Sequence, residues 1–263
     1  MILRRITEHV KAQNWTAVAL DFIIVVVGVF IGIQVSNWNA SSTERSLEQE
    51  YLTLLSRDIA VIETKLKAQI DHEEGVSNAA ADALARINNW TDTADPLRLG
   101  ETLALTFGRR TLSLDSPTFS ELKSAGRITV IRDISLRNQL IAYFEGLSRA
   151  ERVVGKNNDF LVESYTAYMR DIGLGYVPVS SEFCRDVQNA IQCQLSEAMI
   201  ETMNGELTHA AGTVLQAPPE DFFWDQLRSQ IAYRNIATIG NLIRANEALG
   251  ETREMSLAIE NAQ

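Results

Sequence analysis

The sequence predicts an all-α protein: one N-terminal transmembrane helix followed by an extracytoplasmic antiparallel helical bundle. Three observations carry that reading. Residues Phe22–Ile33 read FIIVVVGVFIGI, twelve positions without a polar side chain. Beyond them, apolar residues recur every third or fourth position over long stretches, the spacing of an amphipathic helix. No segment alternates clearly enough to be a strand, and no linker rich in Gly, Ser or Pro divides the remainder. Composition narrows the classes further. An apolar fraction of 46% in 263 residues excludes wholesale disorder. A net charge of −10 argues against a nucleic-acid surface, which needs a basic patch.

Residues 2–15 read ILRRITEHVKAQNW. Ile2, Ile6 and Val10 recur every fourth residue, with Leu3 beside them. Residues 1–14 therefore read as a cytoplasmic amphipathic leader on the inner leaflet surface, or as a solvated one. Residues 15–38 form the expected transmembrane helix, with Trp15 and Trp38 as interface anchors. At ~1.5 Å per residue the two tryptophans stand about 34 Å apart, close to a hydrocarbon core plus its interfaces. A cleaved signal peptide fits less well: the apolar run is long, and Ala40 and Ser42 make a weak cleavage site beside bulky Trp38. Arg4, Arg5 and Lys11 against Glu8 make the leader basic, so the positive-inside rule keeps it in the cytoplasm. In a Gram-negative bacterium the bulk of the chain then lies in the periplasm, anchored in the inner membrane.

Two features within the span bear on function. Gly28 and Gly32 form GxxxG, and Ser36 extends the small-residue line by one turn. Such a line lets two helices approach closely, although GxxxG also arises by chance. Asp21, seven residues before Gly28, shares its face. It is either an interfacial hydrated carboxylate or the partner of a donor on a second helix.

The span ends in G-x-x-I-x-x-Q-x-x-N-W-N, here Gly28, Ile31, Gln34, Asn37, Trp38 and Asn39. A second stretch, SELKSAGRITVIRDISLRNQLIAYF at 120–144, carries Ser124, Gly126, Ile131, Leu136, Arg137, Leu140 and Tyr143 in an S-x-G…I…L-R-x-x-L-x-x-Y pattern. In both, the chain resembles an uncharacterised bacterial family of single-pass membrane proteins, over residues 1–150. Asp21 stands where that family more often has Glu. The resemblance implies the topology and a helical extracytoplasmic domain, and no activity.

The periplasmic helical domain is expected over 39–250. Ser41 and Glu44 have capping-box spacing, which would start a helix nearly continuous with the span. Leu47, Tyr51, Leu55, Ile59, Ile62, Leu66 and Ile70 mark its buried stripe, and Gly75 is its first break. Residues 76–90 continue the helix, 91–96 turn, and 97–108 form a short helix. Pro117 stands in the first turn of a helix that Gly126 stops. Residues 128–131 read as a short extended piece. Asp133 caps a long helix to about 172, kinked at Gly146 and Gly155. A loop spans 173–181, and two modest helices run to about 204. The last helix starts after Pro218-Pro219, with Phe223, Leu227, Ile231, Leu242, Ala245 and Leu249 buried. Ile236, Ile239 and Ile243 would widen that stripe, and Asn235 and Thr238 would interrupt it. Residues 251–263 are a frayed C-terminal tail.

Cys184 and Cys193 would form a disulfide in an oxidising periplasm, or remain two buried thiols. No cofactor, metal site or catalytic signature is legible. His72 lacks a second histidine four residues on, and His209 stands alone. Phe222, Phe223 and Trp224 either plug the bundle end or present a partner surface. These features point to a non-enzymatic interaction protein, an accessory or assembly subunit of an envelope membrane complex. Its partners would be the bilayer and a membrane protein, complex or second copy. The alternative is a small-molecule-sensing bundle that signals through a partner, because fourteen cytoplasmic residues leave no room for an output domain.

Overall fold

A computed structural model describes residues 15–91, 95–175, 183–184, 198–199, 201 and 214–263, the side chains of 15–19 and 21 excepted. Among them every regular element is helical and no strand occurs. The expected leader 1–14 and most of the two modest helices before residue 204 lie outside the described residues.

Helix α1 runs unbroken over Trp15–Asn88, 74 residues or about 110 Å. The capping box at Ser41 and Glu44 therefore starts nothing. The hydroxyls nearby bond backward instead: Thr43 Oγ1 donates to the Asn39 carbonyl and Ser46 Oγ to the Ser42 carbonyl, both at 3.1 Å. A hydroxyl bonded to the preceding turn belongs to a helix interior. Gly75 does not break the helix either. A glycine inside a helix costs only about 1 kcal/mol, which the burial of Val76 beside it offsets.

Helix α2 (Pro96–Thr106) is capped by Asp95, whose carboxylate accepts from the Leu97 and Arg98 amides. Helix α3 (Pro117–Ser124) is capped by Ser116, which also donates to Asp58 on α1 at 2.6 Å. Gly126, at φ +65°, closes α3 while the Arg127 amide reaches back to the Leu122 carbonyl. That left-handed conformation is the reason for glycine there. The expected extended piece at 128–131 is instead a 3-10 turn over Ile128–Val130, held by Val130 N–H to the Arg127 carbonyl. Without a neighbouring strand, the local bond takes the amide.

Asp133 caps helix α4 (Ile134–Asn157) through the Ser135 and Leu136 amides. The chain stays α-helical through Gly146 and Gly155. Its irregularity comes later, as a π-helical turn at Asn158–Val162 before helix α5 (Glu163–Asp171). Helix α6 covers Phe222–Glu260. The tail after Gly250 is not frayed, because Thr252, Met255 and Ile259 are buried and carry α6 ten residues further.

Successive pairs tie α1 to α6 and the residues just past its end: Gln49 with Ala262, Glu63 with Arg253, Glu73 with Asn241. Between them lie two apolar clusters. One joins Leu52 to Leu66 of α1 to Leu122, Leu140, Tyr143, Leu147 and the end of α6. The other joins Ala80 to Ile87 with Leu99, Leu103, Tyr165, Met169, Trp224, Leu227 and Ile231. The expected stripe on α1 is buried from Tyr51 to Leu66; Ile70 is half-buried, and Leu47 is exposed because it precedes the level where the other helices pack. On α6, Leu227, Ile231, Ala245 and Leu249 face the core as expected, with Phe223 and Leu242 half-buried. Ile236, Ile239 and Ile243 are exposed and do not widen it. At that level the core side of α6 belongs to Arg234, Thr238 and Asn241, and ~100° per residue turns the isoleucines to the opposite face.

Candidate functional site

The first part of α1 is the one described helix long and apolar enough to cross a membrane, and its apolar window is wholly exposed. Phe22, Ile24, Val29, Phe30 and Ile33 stand out on all sides, and Trp38 is 73% exposed at the end of the run. Gly28, Gly32 and Ser36 are exposed along one line. A Cβ at either glycine would meet nothing within 4 Å. No other described part of the chain packs against either glycine. The backbones of Trp15 and Asp21 belong to the same helix, and their side chains lie outside the described residues.

Between the two apolar clusters lies a buried polar layer that periodicity reasoning missed. Glu73 of α1 is 1% exposed and Gln69 is fully buried. Gln69 Nε2 and Asn241 Nδ2 both donate to Glu73 Oε1, at 2.8 and 2.9 Å. Asn157 donates to Asn241 Oδ1 at 2.9 Å, and Asn158 to the Arg110 carbonyl at 3.1 Å. The π-helical turn begins at Asn158 and brings this side chain into the layer. Arg234 of α6 is 1% exposed. Its Nε donates to the Thr106 carbonyl at 3.0 Å, its Nη2 to the Gly108 carbonyl at 2.6 Å, and its Nη1 to Thr238. The Thr106 hydroxyl in turn meets the Tyr165 hydroxyl at 2.6 Å. Five segments of chain are thereby joined at one level.

Glu73 Oε2, Gln69 Oε1 and His72 Nε2 are buried without a hydrogen-bond partner among the described residues. Burial pushes the Glu73 carboxyl above its ordinary value, while Asn241, Arg234 and Gln69 pull it back. Burial, then Arg234 and Arg110, hold His72 below the usual imidazole value, with the Gly108 backbone acting the other way. Burial likewise raises the Tyr165 phenol to about 12. Arg234 is lowered by burial and supported by Glu73. The sequence did carry a signal: Gln69 and Glu73 continue the α1 stripe at three- and four-residue spacing, and Arg234, Thr238 and Asn241 do so on α6.

The aromatic cluster splits. Trp224 is buried, its ring 4.8 Å from that of Trp90, and its Nε1 donates to the Ala217 and Pro218 carbonyls. It is thus closed to any partner, Phe223 is half-buried against it, and Phe222 alone is 68% exposed. Cys184 is half-buried and not free, and Cys193 lies outside the described residues. Among the described residues no cluster of His, Cys, Asp and Glu has the makings of a metal site. No family model, curated protein or solved structure matches this chain.

Proposed function

We propose that this chain is a membrane-anchored interaction protein, an accessory or assembly subunit of an envelope membrane complex, without catalysis of its own. In this reading α1 crosses the inner membrane of a Gram-negative bacterium once, the leader stays in the cytoplasm, and an antiparallel bundle closed by a Cys184–Cys193 disulfide stands in the periplasm. The observation that carries it is the open line of Gly28, Gly32 and Ser36 on a helix that passes without a break into the bundle core. A partner helix seated on that line is coupled rigidly to the domain, and by sequence spacing Asp21 shares the face of Gly28. Mild-detergent purification with crosslinking mass spectrometry tests this. A stoichiometric membrane partner crosslinked beside Gly28 and Gly32 supports the reading. A chain that always runs alone, and behaves identically as Gly28→Ile/Gly32→Ile, sinks it.

The second reading, a periplasmic sensor that signals through a partner, draws on the buried oxygens of Glu73 and Gln69 that have no hydrogen-bond partner among the described residues. It expects small polar ligands to raise the melting temperature and Glu73→Gln to abolish that rise. A ligand screen with no shift removes it.

A further inference from the structure

The connection from α3 to α4 differs in charge from the rest of the molecule. Residues 123–137 carry Lys123, Arg127, Arg132 and Arg137 against one acid, Asp133, in a chain of net charge −10. Its acid is engaged internally, because the Asp133 carboxylate caps α4. Lys123 and Arg127 are exposed and form no ion pair among the described residues. Ile134 beside them is 64% exposed.

The fold also fixes where this loop sits. The Arg132 amide and Nε both donate to Glu48 at 2.7 Å, and Tyr51 donates to Glu121 at 2.9 Å. Glu48 follows Trp38 by ten residues on one continuous helix, a rise of about 15 Å. An extended arginine or lysine side chain and a Debye length of about 8 Å together bridge that gap to the headgroups. Glu44 and Glu50 on α1 and Glu260 on α6 are exposed nearby, so the loop is a cationic patch in acidic surroundings.

We propose that residues 123–134 rest on the anionic phospholipid headgroups of the leaflet from which α1 emerges. Lys123 and Arg127 meet the phosphates and Ile134 the interface. This contact rests on the anchored reading, and it fixes the rotation and tilt of the domain about α1. Each basic residue contributes roughly fivefold to occupancy of the surface, and salt weakens the contact.

Amide exchange of the full chain tests it, in nanodiscs of phosphatidylcholine alone or mixed with phosphatidylglycerol. The expected result is exchange over 123–134 slowed roughly fivefold or more in the anionic discs. High salt and Lys123→Gln/Arg127→Gln should reverse the slowing, and Lys123→Arg/Arg127→Lys should keep it. Equal exchange in both discs overturns the proposal, as does slowing that survives in the glutamine variant. A chain that alkaline washing strips from vesicles overturns the anchored reading and this contact together. Retention with lipid-independent exchange overturns this contact alone.

Discussion

One face of α1 meets α6 in two chemistries. From Leu55 to Leu66 it is apolar, and from Gln69 to Glu73 it is polar, at the same helical spacing and the same depth. The apolar stretch gains from area removed from water, about 25 cal/mol per Å², and any packing that excludes water earns most of it. The polar stretch gains little net from each bond, ~1 kcal/mol, yet loses the full desolvation cost if a partner is missing. A helix that slides by one turn along the apolar stretch finds other methyl groups. The same slide at Glu73 and Arg234 strands a carboxylate, a guanidinium and two carbonyls. The contrast assigns most of the stability to the apolar layers and the register of α1, α4 and α6 to the polar one.

The sharpest way to break that contrast is Arg234→Ala. It leaves the Thr106 and Gly108 carbonyls buried and unpaired and removes the cation that supports Glu73. Chemical denaturation of the full chain in detergent should lose about 3–5 kcal/mol. Arg234→Met with Glu73→Gln should recover part of it, because the paired change leaves no lone buried charge. A double variant no better than the single one would show that carbonyl satisfaction, not charge, sets the cost.

Ile62→Ala, wholly within the apolar layer, should cost about 2–4 kcal/mol through a cavity. It should leave amide protection around Asn241 in register, whereas Arg234→Ala should not.

The pH dependence comes next. Glu73 has a raised value in the fold, so its share of stability is present below the ordinary carboxyl value and is lost as pH rises through the raised one. Glu73→Gln should flatten that alkaline-side loss in a series of unfolding curves. His72, held low, acts with the opposite sign: its share is present above the ordinary imidazole value and is lost as pH falls. His72→Gln should remove the acid-side loss. Unchanged pH profiles in both variants would mean that the layer takes up no proton in this range.

The smallest effect belongs to Gly126→Ala. At φ +65° alanine is strained by about 1 kcal/mol, with no atom within 4 Å to add a clash. Its melting temperature should fall by a few degrees, with the polar layer untouched.

These two chemistries also explain what was legible in the sequence. The apolar rows at Leu55, Ile59, Ile62 and Leu66 were readable because periodicity and apolarity coincide there. The caps at Asp133 and Gly126 were readable because single residue types satisfy a local backbone need. At Arg234, Thr238 and Asn241 periodicity and apolarity separate, and a reading that weights apolarity chose Ile236, Ile239 and Ile243, which face solvent. The capping box at Ser41 was misread for a related reason. Local spacing is shared by helix starts and helix interiors, and only the next hydrogen bond decides. The apolar run of the span was readable because a long stretch without polar side chains needs no tertiary contact to stand out.

The continuity of α1 has a mechanical consequence. Asn88 lies 50 residues beyond Trp38 on the same rod, a distance of about 75 Å. Rotating the apolar end by about 10° sweeps the far end through about 13 Å. That is more than the diameter of a helix, so a tilt imposed at one end of the rod is amplified at the other.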